Sequence, residues 1–227
     1  MTQPQAFGQS IWLVPAPFKA LGMDFQNHMT LIRLTDGRLW AHSVVPLNTS
    51  LQAEVSRLGT VGHIVVPNTT HNLYTGRWRR AWPDSKLYAP PAAKRVTPDM
   101  LLAPQDLAPV QAAWGGDISI VRIAGMRYLD EYAFIHHLSR TLILTDLAFN
   151  FGAETTGRTR LALRLYGAFG RLGPSRLIRL LIRDKRAFRA SIDAILEHDF
   201  DRIIVSHGQA ITLEAKSRFS AAFSRYR

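Results

Sequence analysis

Short apolar runs that turn abruptly into polar loops set the strongest limit on this chain. His63-Ile64-Val65-Val66 leads into Pro67-Asn68-Thr69-Thr70-His71-Asn72, Thr141-Leu142-Ile143-Leu144 into Thr145-Asp146, and Ile203-Ile204-Val205 into Ser206-His207-Gly208. A strand with one wet face alternates apolar and polar residues, whereas a continuous β-branched run suits a strand covered on both faces. Such strands belong to layered α/β domains, in which loops at the C-terminal strand ends line the site.

The rest of the chain supplies the partners such strands need. Ile11–Val14 reads as a strand closed by Pro15 and Pro17. Asp36-Gly37, between Met29–Leu34 and Leu39–Ala41, is a hairpin signal. Leu47, Leu51, Val55 and Leu58 recur at helical spacing, so Asn48–Leu58 reads as a helix stopped by Gly59. Gly76–Trp82 reads as a short helix with Trp78 and Trp82 on one face, Lys86–Ala89 as a strand, and proline-interrupted Thr97–Ala113 as irregular. In the second half, Ile118–Ile123, Glu131–His136 and Arg140–Thr145 read as strands. Two or three helices broken at Gly170 and Gly173-Pro174 follow, then an amphipathic helix capped near Asp184 with Phe188, Ile192, Ile195 and Leu196 on one face. Asp201–Val205 is the last strand and Leu213–Arg227 the last helix. No linker or repeat divides the chain, so residues 8–227 read as one domain with a basic helical segment over 157–198.

With 227 residues, 47% of them hydrophobic, the chain can bury a sizeable core. It has no cysteine, which excludes disulfides, thiolate metal ligands and a cysteine nucleophile. Met1–Ser10 is polar without Lys or Arg and does not read as a secretory signal. No uncharged apolar run approaches the ~18 residues of a membrane-spanning helix, and a cytoplasmic location is expected.

The net charge of +11 is unevenly placed. Ten of the 28 Lys and Arg residues lie between Arg158 and Arg189 with one acid, Asp184, so that stretch alone carries +9. Arg158, Arg160, Arg164, Arg171 and Arg176 are the candidate anion-binding residues. A solvated cationic face is one reading of this segment, since arginine stems cover apolar surface. The others are contact with anionic lipid headgroups, with nucleic-acid phosphates, or with an acidic substrate.

His42, His71, Asp146 and His207 all stand at or just beyond strand ends. Neutral imidazoles and a carboxylate are ligand types for zinc or iron. A lone histidine in such a place is more often structural, and the joint placement is what points to a site. Without metal, Asp146 and His207 are the candidate acid–base pair. His63 and His198 are assigned no chemistry, and at least one of His136 and His137 should face solvent.

Three of these segments resemble, in order, the signature segments of the metallo-β-lactamase superfamily. His63–Gly76 resembles the strand and loop carrying His-x-His-x-Asp-His, Arg140–Phe149 the strand ending in the metal-bridging Asp, and Arg202–Gly208 the late strand ending in a His-Gly ligand. Leu39-Trp40-Ala41-His42-Ser43 resembles the early strand that usually ends in Asp-Thr-Gly. A closer resemblance, over Leu39–Leu47, Pro67–His71, Ser139–Asp146 and Asp199–Gly208, is to a bacterial family of unknown function that is a divergent branch of that superfamily. The resemblance covers nearly the whole chain and implies a single-domain, four-layer αββα sandwich of metallo-β-lactamase type.

It also implies a reduced site. The His-x-His-x-Asp-His positions are occupied by Asn68, Thr70, Asn72 and Leu73, His71 falls between ligand positions, and the next histidine position falls near Arg127. A two-metal site needs about seven or more ligating groups, which this chain does not supply. One zinc or iron ion is the expected cofactor, held by Asp146, His207 and an inward-turned His71, with His42 and Glu131 as further candidate ligands and Glu131 also a candidate base. The expected function is a mononuclear metal-dependent hydrolase of a small-molecule or anionic substrate. The competing expectation is a catalytically inactive member that binds an anionic ligand, a membrane surface or nucleic acid through its basic helices.

Overall fold

The computed structural model describes residues 2–20, 23–93, 104–107 and 114–226. β1 (Gln5–Gly8), β2 (Ile11–Ala20), β3 (Met23–Arg33), β4 (Leu39–His42), β5 (Val61–Val65), β6 (Lys86–Ala89) and β7 (Gln105–Asp106) form one sheet in chain order. β8 (Ile118–Arg122), β9 (Tyr132–His136), β10 (Thr141–Leu144) and β11 (Arg202–Val205) form a second, ordered β11-β10-β9-β8. β4 to β7 run parallel, as do β10 and β11. The crossovers carry helices: α1 (Thr49–Leu58) and α2 (Thr75–Ala81) beside the first sheet, and α3 (Gly157–Leu165), α4 (Arg176–Leu181) and α5 (Lys185–Glu197) between β10 and β11. α6 (Ala215–Phe223) follows β11.

Residue parity along the strands accounts for the layering. Successive side chains point to opposite faces. Leu39 and Ala41 of β4 and Ile64 of β5 join Leu51 and Val55 of α1 and Trp78 of α2 in one core. Leu142 and Leu144 of β10 and Ile203 and Val205 of β11 join Phe188 and Ile192 of α5 and Phe219 of α6 in another. The alternate residues Trp40, Val65, Phe134, Ile143 and Ile204 meet between the sheets. Three apolar seams make four layers, an αββα sandwich in one domain. Each aliphatic side chain fully buried in a seam contributes about 1.5–3 kcal/mol.

The element ends follow the expected signals. Asn48 caps α1 by accepting from Leu51 N, and Asp184 caps α5 by accepting from Ala187 N. Trp82 lies at the C-cap of α2, its ring stacked on Trp78 at 5.0 Å. β2 departs from expectation, running through Pro15 and Pro17 to Ala20. Pairing with β1 ends at Leu13, so beyond it β2 is an edge strand where a missing N–H breaks no ladder. β3 likewise begins at Met23 to match it. The final helix ends at Phe223, with a 3-10 turn over Ser224–Tyr226. Most of Thr97–Ala113 lies outside the described residues, and within it Gln105–Asp106 is a short strand.

Two histidines are part of the inner packing. His63 is buried, with Nδ1 at 3.3 Å from both the Tyr88 hydroxyl and Trp114 Nε1. His136 is wholly buried, its Nδ1 2.7 Å from Ser139 Oγ, whereas His137 is exposed. Burial first, and then nearby Arg38, lowers His63 to about 4, and burial likewise lowers His136 to about 4. The unfolded chain takes up these protons near 6.5 and the fold resists them until about 4. Stability is therefore complete above about pH 6.5 and falls with pH below that, by up to about 1.4 kcal/mol per pH unit for each histidine. Urea unfolding at pH 7 and pH 5 measures this. His63→Gln and His136→Asn are each expected to lessen the fall, and an unchanged fall in both would assign it to other groups.

Candidate metal centre

The C-terminal ends of β4, β5, β10 and β11 meet at one rim of the sandwich. After β5, the Asn68 side chain turns the loop back on itself: its Oδ1 accepts from Thr70 N at 2.9 Å and His71 N at 3.0 Å, with Thr70 Oγ1 2.8 Å away. This cap carries the intervening His71 inward. After β4, Ser43 adopts a left-handed backbone (φ 56°) and sets its hydroxyl 2.6 Å from His71 Nδ1. That contact fixes the ring and leaves Nε2 to face Asp146 and His207, the usual second-sphere arrangement of a ligating imidazole.

Asp146 follows β10 and His207 follows β11. His71 Nε2 lies 3.3 Å from Asp146 Oδ2, His207 Nε2 lies 3.3 Å from Asp146 Oδ1, and the two Nε2 atoms are 3.2 Å apart. Thr70 Oγ1 and Asn68 Nδ2 donate to Asp146 Oδ2 at 2.7 and 3.0 Å. Among the described residues, these three side chains form a group able to hold a metal ion. Tetrahedral ligands with bonds of ~2.0–2.2 Å stand ~3.3–3.5 Å from one another; the two Nε2 atoms are close to that spacing, and one ligand atom from each of the three side chains lies within 4.8 Å of the others. Two imidazoles and a carboxylate also suit zinc or iron chemically.

Electrostatics tie the three groups together. Burial would raise Asp146, but the His71 and His207 imidazoles outweigh it and hold the carboxyl well below the ordinary carboxylate range. Burial would lower His71, yet the Asp146 charge prevails and raises it. For His207 burial prevails over Asp146, and its pKa is lowered.

His42 and Glu131 do not join that group. His42 shares the inter-sheet parity of Trp40, stacks on its indole at 5.2 Å, and is entirely buried, with neither ring nitrogen given a side-chain partner among the described residues. Burial and then repulsion from His71 lower it to about 3, which keeps it neutral. Glu131 Oε1 accepts from Leu147 N at 2.8 Å, Thr145 Oγ1 at 2.9 Å and Thr145 N at 3.2 Å, while Asn68 Nδ2 lies 3.3 Å from Oε2. Burial and then the Asp146 charge push Glu131 up to about 7, against the Leu147 N–H, the Thr145 hydroxyl and the His71 imidazole. Its carboxyl thus clamps the turn that presents Asp146.

A cavity of about 410 Å³ opens in front of the three groups. Its wall is mainly apolar, including Phe18, Met23, Phe25, Phe149, Phe151 and Leu163, with Thr70, His71, Asp146 and His207 as polar points. The His207 ring is packed against Phe149, nearly parallel, and edge-on to Phe25. Arg158, Arg160, Arg164, Arg171 and Arg176 lie outside this lining. The roles of Ser43, Asn68 and Thr70 and the aromatic wall were not read from sequence. The Trp40–His42 spacing did contain the signal that turns His42 between the sheets.

Gly208 follows His207 at φ 106°, where a Cβ would stand 2.3 Å from Asn150 O. That close approach allows Asn150 N to donate to His207 O and Gln209 N to Asn150 O.

No protein-family model matches the chain, and no curated protein matches it. Solved structures do. The metallo-β-lactamase DIM-1, exposed to ceftazidime, superposes with a TM-score of 0.64 at 11% identity, covering 99% of this chain and 97% of that one. A metallo-β-lactamase from Hirschia baltica gives 0.63 at 10% identity over 96% of both chains. FIM-1 from Pseudomonas aeruginosa, in its mono-zinc form, gives 0.61 at 12% identity over 98% of this chain and 94% of its own. The chain therefore has the metallo-β-lactamase fold. Within that fold it carries a candidate metal site of its own composition, His71, Asp146 and His207.

Glu131→Gln is expected to place an amide donor against Asn68 Nδ2 and weaken the Thr145–Leu147 clamp. One buried unsatisfied donor costs about 2 kcal/mol, or roughly 4–8 °C in Tm for a chain of this size. Differential scanning calorimetry reads it, and an unchanged Tm would show that the clamp does not need the charge.

Proposed function

We propose that this protein, a divergent branch of the metallo-β-lactamase superfamily akin to its bacterial family of unknown function, is a hydrolase using one zinc or iron ion. The observation that carries this reading is the convergence of His71 Nε2, His207 Nε2 and the Asp146 carboxylate within 3.2–3.3 Å at the floor of a cavity. A bound ion would supply Lewis-acid activation of water or of a substrate carbonyl.

The chain's own residues perform the remaining tasks. Ser43 holds His71 through Nδ1, Thr70 and Asn68 hold Asp146 through Oδ2, and Glu131 fixes the turn before it. Phe18, Phe25 and Phe149 exclude water from around His207. The donors Asn68 and Thr70 support a one-ion centre, because both are engaged with Asp146 where the superfamily resemblance implies further ligands. The apolar wall favours a substrate with a hydrophobic portion next to the bond to be cleaved.

Elemental mass spectrometry on protein purified without added metal or chelator tests the centre. About one zinc or iron per chain is expected, lost in Asp146→Ala and His207→Ala that still fold by circular dichroism. A folded wild type without metal would overturn the reading and favour the inactive binding protein. For the chemistry, p-nitrophenyl esters of increasing acyl length are suitable probes. kcat/KM is expected to rise by up to about fourfold per added CH₂ until the cavity fills, and to disappear with chelator. Equal rates on all chain lengths would remove the apolar-substrate assignment.

A further inference from the structure

The basic segment and the cavity are parts of one surface. α3 and α4 turn Leu163, Ile178 and Leu181 toward the cavity, which they help to line. Their outer faces are apolar as well: Leu161, Leu165 and Leu180 are 62–69% exposed. In α3, Arg158, Leu161 and Leu165 fall on one side at i, i+3 and i+7, opposite buried Leu163. In α4, Arg176 and Leu180 share a side, opposite buried Ile178. Leu73, Tyr166 and Leu177 line the cavity while being well exposed, which places them at its mouth.

Charge surrounds this apolar shoulder. Arg158, Arg160, Arg164, Arg171 and Arg176 are exposed, and among the described residues none of them has a carboxylate within ion-pair distance. Arg160 and Arg164 are held over the Phe169 ring, at 5.1 and 5.2 Å. A solvated cationic face does not need large leucines in its outer row. A nucleic-acid face would use the arginines but leave Leu161, Leu165 and Leu180 against phosphates. A surface that is anionic outside and hydrocarbon beneath satisfies both sets.

We infer that the α3–α4 shoulder docks on an anionic lipid bilayer, with the cavity mouth at the interface, so that the cavity receives the apolar chain of a membrane amphiphile. The leucines enter the headgroup boundary, the arginines meet lipid phosphates, and the chain of the amphiphile passes Leu73, Tyr166 and Leu177 to reach the floor at Asp146. Docking stands on the surface alone. The identity of the cavity's occupant as a substrate rests on the hydrolase reading.

The test is co-sedimentation of the full chain with vesicles of phosphatidylcholine alone, and of phosphatidylcholine with one third phosphatidylglycerol. Binding to the anionic vesicles, weakened by salt, is expected. Arg158→Gln with Arg176→Gln is expected to lower it roughly thirtyfold. Leu161→Ser with Leu180→Ser is expected to lower it roughly tenfold while leaving Tm unchanged, because these side chains already face solvent. No binding, equal binding to neutral vesicles, or wild-type binding by both double variants would overturn the proposal. Tighter binding to an RNA or DNA duplex at the same salt would overturn it as well. So would a dimer, found by light scattering, that the leucine substitutions abolish. Protein stripped of metal should dock unchanged, so docking without metal-dependent hydrolysis would separate a failed hydrolase reading from a failed docking one.

Discussion

Asp146 holds the rim of this molecule together. A carboxylate taken largely out of water costs several kcal/mol unless its lone pairs are met, and here they are met from two segments of the chain. Thr70 and Asn68 reach it from the loop after β5, His71 from the same loop, and His207 from the end of β11. The loops that form the site therefore fold around a negative charge placed by β10, and Glu131 holds the turn that places it. The same charge keeps two imidazoles side by side, with their Nε2 atoms facing one another.

The fold was legible in the chain because burial on both strand faces leaves a strong pattern. Ile64-Val65-Val66, Leu142-Ile143-Leu144 and Ile203-Ile204-Val205 each feed two different seams, and that doubling cannot be satisfied in a two-layer protein. The cap near Asp184 was readable from local chemistry, whereas Asn48, read as the first residue of its helix, proves to be the cap. β2 was cut short because proline was read as a stop, whereas its effect depends on whether a neighbour needs the N–H. That neighbour is a matter of tertiary structure, and nothing around Pro15 shows that pairing with β1 stops at Leu13.

The candidate site was legible by residue type and less so by geometry. His71, Asp146 and His207 come together as their chemistry suggested. His42 lies between the sheets, since strand parity, two residues after Trp40, outranks closeness to a strand end. Glu131 is occupied by backbone and hydroxyl donors that a sequence does not display. Ser43 entered the site through a left-handed backbone that nothing in Ala41-His42-Ser43-Val44 announces. The cavity's apolar character comes from phenylalanines far apart in the chain, so it became visible with the tertiary fold alone.

The Asn68 side chain constrains what can replace it. Its Oδ1 receives Thr70 N and His71 N together, and its Nδ2 binds Asp146. An imidazole in its place presents no comparable oxygen, so a histidine there would release the turn that aims His71 and loosen the cluster instead of enlarging it.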